Sequence, residues 1–170
     1  MTNAYLQRNA STGRLEEVVP AVTGGTVGEA GQLTALDGTG RLSPTIMPIG
    51  IAADTYSGTA NEALNAGDFV YIASDGGVAK ASANSGGFDA DGFVVAGYTL
   101  GQSALVYLEG RNTALTGLTV GERYYLSASV PGGVTSTPVT GAGKRHQFLG
   151  RAVSATSISF EADDSITLAQ

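Results

Sequence analysis

Acid–base or metal chemistry needs histidines, cysteines or carboxylates at workable spacings. The single histidine, His146, lies in 143-GKRHQF-148. A Ser-His-Asp relay needs an ordered nucleophile and an acid around the imidazole, and the sequence marks neither. Zinc needs three or four ligands of suitable type, whereas the chain has one histidine and no cysteine. The two aspartates of 89-DADG-92 stand at i and i+2 before a glycine, as in a calcium loop. The third oxygen ligand and the closing glutamate of an EF-hand are missing. Asp before Gly is also ordinary turn chemistry, because Asp tolerates the left-handed region. Glu62, Asp68, Glu109 and Glu122 fall near strand ends, but no tryptophan is present to build a sugar platform beside them. A glycosidase pair would have to face such a cleft. The glycine-rich 24-GGTVGEAG-31 lacks the Lys-Ser/Thr ending of a phosphate loop. These residues predict no catalytic site, no metal and no cofactor, hence a protein that is not an enzyme.

Composition narrows the class. The chain has 170 residues, a formal net charge of −6, 25 glycines and no cysteine. Charged residues make up 14%, against roughly 25% in ordinary globular domains. An acidic balance opposes a nucleic-acid partner, which would require a basic face for the phosphates. No stretch approaches the roughly eighteen apolar residues of a membrane span. The start, MTNAYLQRNASTGRLEEV, lacks the apolar segment of a signal peptide. The expectation is a soluble protein made in a cytoplasm, with neither nucleic acid nor membrane as partner.

The elements that would position side chains repeat along the chain. The stretch 64-LNAGDFVYIASDGGVAKAS-82 is matched by 118-LTVGERYYLSASVPGGVTST-137. Gly67 and Gly121 stand 54 residues apart, and Gly77 and Gly133 stand 56 apart. The match continues from 92-GFVVAGYTLGQSALVYLEG-110 to 147-QFLGRAVSATSISFEAD-163. Short alternating strands about ten residues apart, with glycine-rich turns between them, predict an all-β fold. The expected form is an antiparallel β-barrel or sandwich built from two similar four-stranded units, 64–110 and 118–163, within a domain of residues 49–170. Phe69 and Tyr71 alternate with Val70 and Ile72, so both faces of that strand are apolar. The second face then requires a cover, either the N-terminal arm or a neighbouring chain.

Residues 1–48 differ. The segment reads as an extended arm, with a hairpin across 33-LTALDGTGRL-42 closed by Pro44 and Pro48. Its first thirty residues carry too few large apolar side chains to offset their own ordering, at about 1–2 kcal/mol per residue. The arm is therefore expected to order on a partner or by exchange between protomers. Tyr5, Leu6 and Leu15 are its candidate apolar anchors, and Arg8 and Arg14 its candidate ion-pair donors.

Three stretches carry a family resemblance: 31-GQLTALDGTGRLSPTIMPIGIAAD-54, 62-EALNAGDFVYI-72 and 114-ALTGLTVGERYYLSASVPGGVTSTP-138. They resemble segments of tailed-bacteriophage structural proteins, in particular small capsid decoration (cement) and head-fibre proteins. The resemblance runs from Gly31 onward over about two-thirds of the chain. It implies a non-enzymatic virion subunit, commonly trimeric, seated on the outer surface of an assembled head and clamping adjacent major capsid proteins. The alternative is a head-fibre or tail-fibre appendage that binds a host surface glycan. Scarce loop aromatics, Tyr56 and Phe88 beyond the arm, favour decoration.

Overall fold

In the computed structural model, the described residues are 4–21, 33–36, 42, 53–161 and 163–169. The chain divides into two compact units, residues 1–52 and 53–170. The sequence placed this boundary after residue 48.

The first unit opens with a hairpin of β1 (Tyr5–Arg8) and β2 (Leu15–Val18), paired antiparallel from Tyr5↔Val18 to Arg8↔Leu15. The Asn9 side-chain oxygen accepts from the Ser11 and Thr12 amides at 2.9 and 3.0 Å, and Gly13 supplies φ 69°. These are the requirements of a tight return. Residues 5–18 thus fold back on themselves where an extended path was expected. The alternation in 15-LEEV-18 is too short to announce a strand by itself. The turn expected at 37-DGTG-40 lies outside the described residues. Beside it, Ala21 and Thr34 form a parallel bridge.

Among its described residues the second unit holds twelve strands. The first five are β3 (Thr55–Thr59), β4 (Phe69–Ile72), β5 (Val78–Lys80), β6 (Gly92–Phe93) and β7 (Ser103–Tyr107). Next come β8 (Glu109–Asn112), β9 (Arg123–Leu126), β10 (Val134–Thr135) and β11 (Arg145–His146). The last are β12 (Phe148–Ser154), β13 (Ser157–Glu161) and β14 (Ile166–Thr167). One sheet runs β3-β7-β6-β4-β5 and another runs β8-β13-β12-β9-β10. The orders are the same once β11 is set aside; β11 pairs with β14 in a separate ladder. The duplication therefore holds strand by strand. All described pairings between these strands are antiparallel, and the fold is all-β. Both five-stranded sheets are open, so no barrel closes among the described residues.

The repeat is longer than its sequence signal. It spans 55–107 and 109–161, five strands each instead of four. The first strands, TYSGT and EGRN, lack apolar alternation and gave no signal. Backbone bonds match across the copies. Gly67 N donates to Val94 O at 2.8 Å, and Gly121 N to Ala152 O at 2.9 Å. Val94 N returns to Asp68 O, and Ala152 N to Glu122 O, both at 3.0 Å. Gly67 and Gly121 have φ values of 95° and 86°, a left-handed conformation that explains why glycine precedes the acid in both copies.

Three cores result. Leu64, Val70, Val78, Val94 and Ala104 fill one face of the first sheet. Leu118, Tyr124, Ala152 and Ile158 do the same in the second repeat. Phe69 and Phe93, on the opposite face of the first sheet, pack with Leu126, Leu149 and Phe160 of the second repeat. Phe69 and Phe160 lie 5.3 Å apart edge-on, and Phe93 and Phe160 5.8 Å. The cover expected from an arm or a neighbour is thus supplied to Phe69 by the second repeat of the same chain. Two buried polar groups cross this junction. Gln147 accepts from Ala90 N at 2.8 Å and donates to Ala90 O and Asp163 O, each at 3.0 Å. Asn112 donates to Gly67 O at 2.9 Å. Buried polar groups bonded in this way fix one arrangement of the repeats.

Candidate partner-binding site

Antiparallel register decides which of the five N-terminal candidates share a face. Residues directly opposite, and those two apart, lie on the same side of a ladder. Leu6, Arg8, Leu15 and Glu17 therefore occupy one face, and Tyr5, Gln7, Glu16 and Val18 the other. Leu6 and Leu15 are each 69% exposed. Arg8 stands directly opposite Leu15, its Nε donating to Gly13 O at 3.3 Å. Two leucines and a guanidinium thus share an open face.

Tyr5 does not join them. It is half-buried, and its hydroxyl accepts from Leu33 N at 3.0 Å. It helps hold the hairpin to the segment that follows. Arg14 sits at the hairpin turn, its amide donating to Thr12 Oγ1 at 3.4 Å. Two ion pairs occur among the described residues, Lys80–Asp68 at 3.1 Å and Arg145–Asp89 at 2.9 Å. Neither involves Arg8 or Arg14.

Four of the carboxylates that first suggested chemistry, Glu62, Asp68, Asp89 and Asp91, are engaged in building the body. Asp91 Oδ2 accepts from Ile72 N at 2.7 Å, and Asp89 Oδ2 takes the Arg145 guanidinium. Asp68 accepts from Asn65 N at 2.8 Å, and Glu62 from Lys80 N at 2.9 Å. His146 lies on β11, half-buried, with its ring 4.9 Å from Tyr125. Asp75 caps the β4–β5 turn: Gly77 N donates to it at 2.8 Å, and Asn61 also donates. These bonds, the Gly77 amide foremost, hold its carboxyl below the ordinary 3.8. Tyr56, read as a loop aromatic, lies on β3 with its hydroxyl donating to Gly76 O at 2.8 Å. Phe88 stacks on Tyr71 at 4.3 Å.

Register also brings together residues that sequence reading left apart. On the outer face of the second sheet, Arg123 stands opposite Arg151, Arg151 opposite Ser159, and Ser159 opposite Arg111. Three arginines share one cross-strand row. Glu109 stands opposite Glu161 two residues along. These residues lie far apart in sequence, so only the strand pairing reveals the rows. No protein-family model matches the chain, and no curated protein matches it.

Proposed function

We propose that the chain is a non-enzymatic structural subunit of a tailed-phage virion. It decorates the outer surface of the assembled head and stabilises contacts between major capsid proteins. The observation that carries this reading is the open Leu6–Leu15 face of the N-terminal hairpin, with Arg8 beside it. Exposed leucines paired with arginine suit burial against another polypeptide, and each exposed ion pair adds at most about 1 kcal/mol. The phage assignment itself rests on the phrase-like resemblance of residues 31–138. The body of residues 53–170, with its repeats locked by Gln147 and Asn112, is suited to carrying load.

A homotrimer belongs to the same proposal and rests on the resemblance, because the second repeat already covers Phe69 and Phe93. Light scattering after size exclusion checks it: a trimer is expected, and a monomer at micromolar concentration contradicts it. Deleting residues 2–30 tests the docking role. The truncated chain should fold and yet fail to bind decoration-free capsids. Unchanged affinity would refute docking through this segment, and loss of trimers would point to exchange between protomers.

A further inference from the structure

The outer face of the second sheet holds a cleft of about 530 Å³, lined by Phe148, Arg151, Ser159, Glu109 and Glu161 with Gly150 in its lining. That volume falls within the range of small-ligand sites. The charges around it are sorted by sign, with Arg123 facing Arg151 and Glu109 facing Glu161. Like charges directly opposite each other destabilise a sheet, and alternating the signs would have produced cross-strand ion pairs. Neither described ion pair of the chain includes any of these four groups. The pattern suits a ligand that brings a carboxylate to one end and hydrogen-bond donors to the other.

We propose that this cleft binds a sugar acid. The ligand carboxylate meets Arg151, whose Nη1 already donates to Gly121 O at 2.9 Å and so holds the side chain in place. Sugar hydroxyls donate to Glu109 and Glu161, and Ser159 offers a further polar contact between the two ends. Phe148 provides the apolar wall for the sugar ring, with the Arg123 guanidinium 5.6 Å from its ring centroid. The cleft is bounded by the Glu109–Glu161 pair, so a polyanionic peptide is repelled where a polyol is welcomed. The corresponding positions in the first repeat are closed: Phe69 and Phe93 stand where Arg123 and Arg151 stand, and the second repeat covers them. The inference uses only residues of the second repeat and is independent of whether the hairpin docks on a capsid.

The test is a heteronuclear NMR titration of the full-length chain with glucuronic acid. Glucose, acetate and poly-glutamate serve as comparison probes. Saturable shifts at Phe148, Arg151 and Ser159 are expected with glucuronic acid, with much weaker responses to the other three. Arg151→Gln and Glu161→Gln should each weaken binding at least tenfold while the rest of the spectrum stays native. If Arg151→Gln fails to fold, Glu161→Gln and the wild-type shift map still decide. Absence of saturable shifts overturns the proposal. So does an equal response to acetate (a simple anion patch), an equal response to glucose, or tighter binding of poly-glutamate (a protein-docking face).

Discussion

Phe69 and Phe93 in the first repeat correspond to Arg123 and Arg151 in the second. The strand orders agree, the glycine turns agree, and the backbone bonds around Gly67 and Gly121 agree. The two aromatic side chains are at most 1% exposed, whereas both arginines are exposed. The repeats therefore stack in one direction only. The outer face of the first sheet receives the inner face of the second, and the outer face of the second receives no third copy. A stack of like units needs a polar terminal face to stop it, and the arginines serve that purpose. One fold used twice thus yields a buried wall and an open, charged one.

Replacing either side of this pairing should give unequal effects. Phe69→Ala or Phe93→Ala should cost about 3–5 kcal/mol, the usual range for an aromatic removed from a core. Arg123→Ala should change stability by about 0.5 kcal/mol or less, as exposed substitutions do. Urea melts of the three variants compare them directly, and equal losses would break the assigned correspondence.

Asn112 marks a second asymmetry, because it is fully buried and bonds the Gly67 carbonyl of the other repeat. Asn112→Ala should cost about 1–3 kcal/mol by leaving that carbonyl unsatisfied, measured in the same way. The glycine turns sharpen the comparison further. Gly67 and Gly121 share a left-handed backbone, so alanine at either should cost about 1–2 kcal/mol. At Gly67 a Cβ would also meet the Ala114 carbonyl oxygen at 2.5 Å, whereas at Gly121 it would point into open space. Gly67→Ala should be the more damaging of the two, and the reverse order would contradict the packing between repeats.

The smallest effect concerns the turns that precede Val78 and Val134. In the first repeat Asp75 accepts from Gly77 N; in the second, Ser127 Oγ accepts from the Ser129 and Val130 amides at 3.2 and 3.1 Å. Asp75 has its carboxyl lowered below 3.8 by the Gly77 amide and then Asn61. Its contribution to stability is thus complete above the ordinary value and is lost as pH falls through the lowered one. NMR titration should show Asp75 protonating below 3.8, and Asp75→Asn should flatten the acid limb only slightly. The serine turn should show no such pH dependence.

Much of this comparison was legible in the chain. Gly67, Gly121, Gly77 and Gly133 betrayed the duplication because positive φ and tight turns select glycine, whatever the neighbouring side chains. The all-β class followed from the same punctuation. The first strand of each repeat stayed hidden, since 55-TYSGT-59 and 109-EGRN-112 are edge strands with little apolar content to signal burial. The apolar second face of β4 was legible, but not its cover, which depends on how two sheets stack. At the candidate site, Leu6, Arg8 and Leu15 were identified by residue type. Their sharing of one face, and the departure of Tyr5 to the other, depend on a hairpin register that four-residue strands do not announce. The arginine row required pairing among strands that begin at residues 109, 123, 148 and 157.

On the proposed reading, the open Leu6–Leu15 face of the hairpin engages the capsid, and the duplicated body folds without help from those two side chains. Co-sedimentation of the full-length Leu6→Asp/Leu15→Asp double variant with decoration-free capsids tests it most directly. Both positions are exposed, so the variant should melt within about 0.5 kcal/mol of the parent. It should stay in the supernatant at concentrations where the parent protein pellets with the capsids. A double variant that pellets with undiminished occupancy would contradict it.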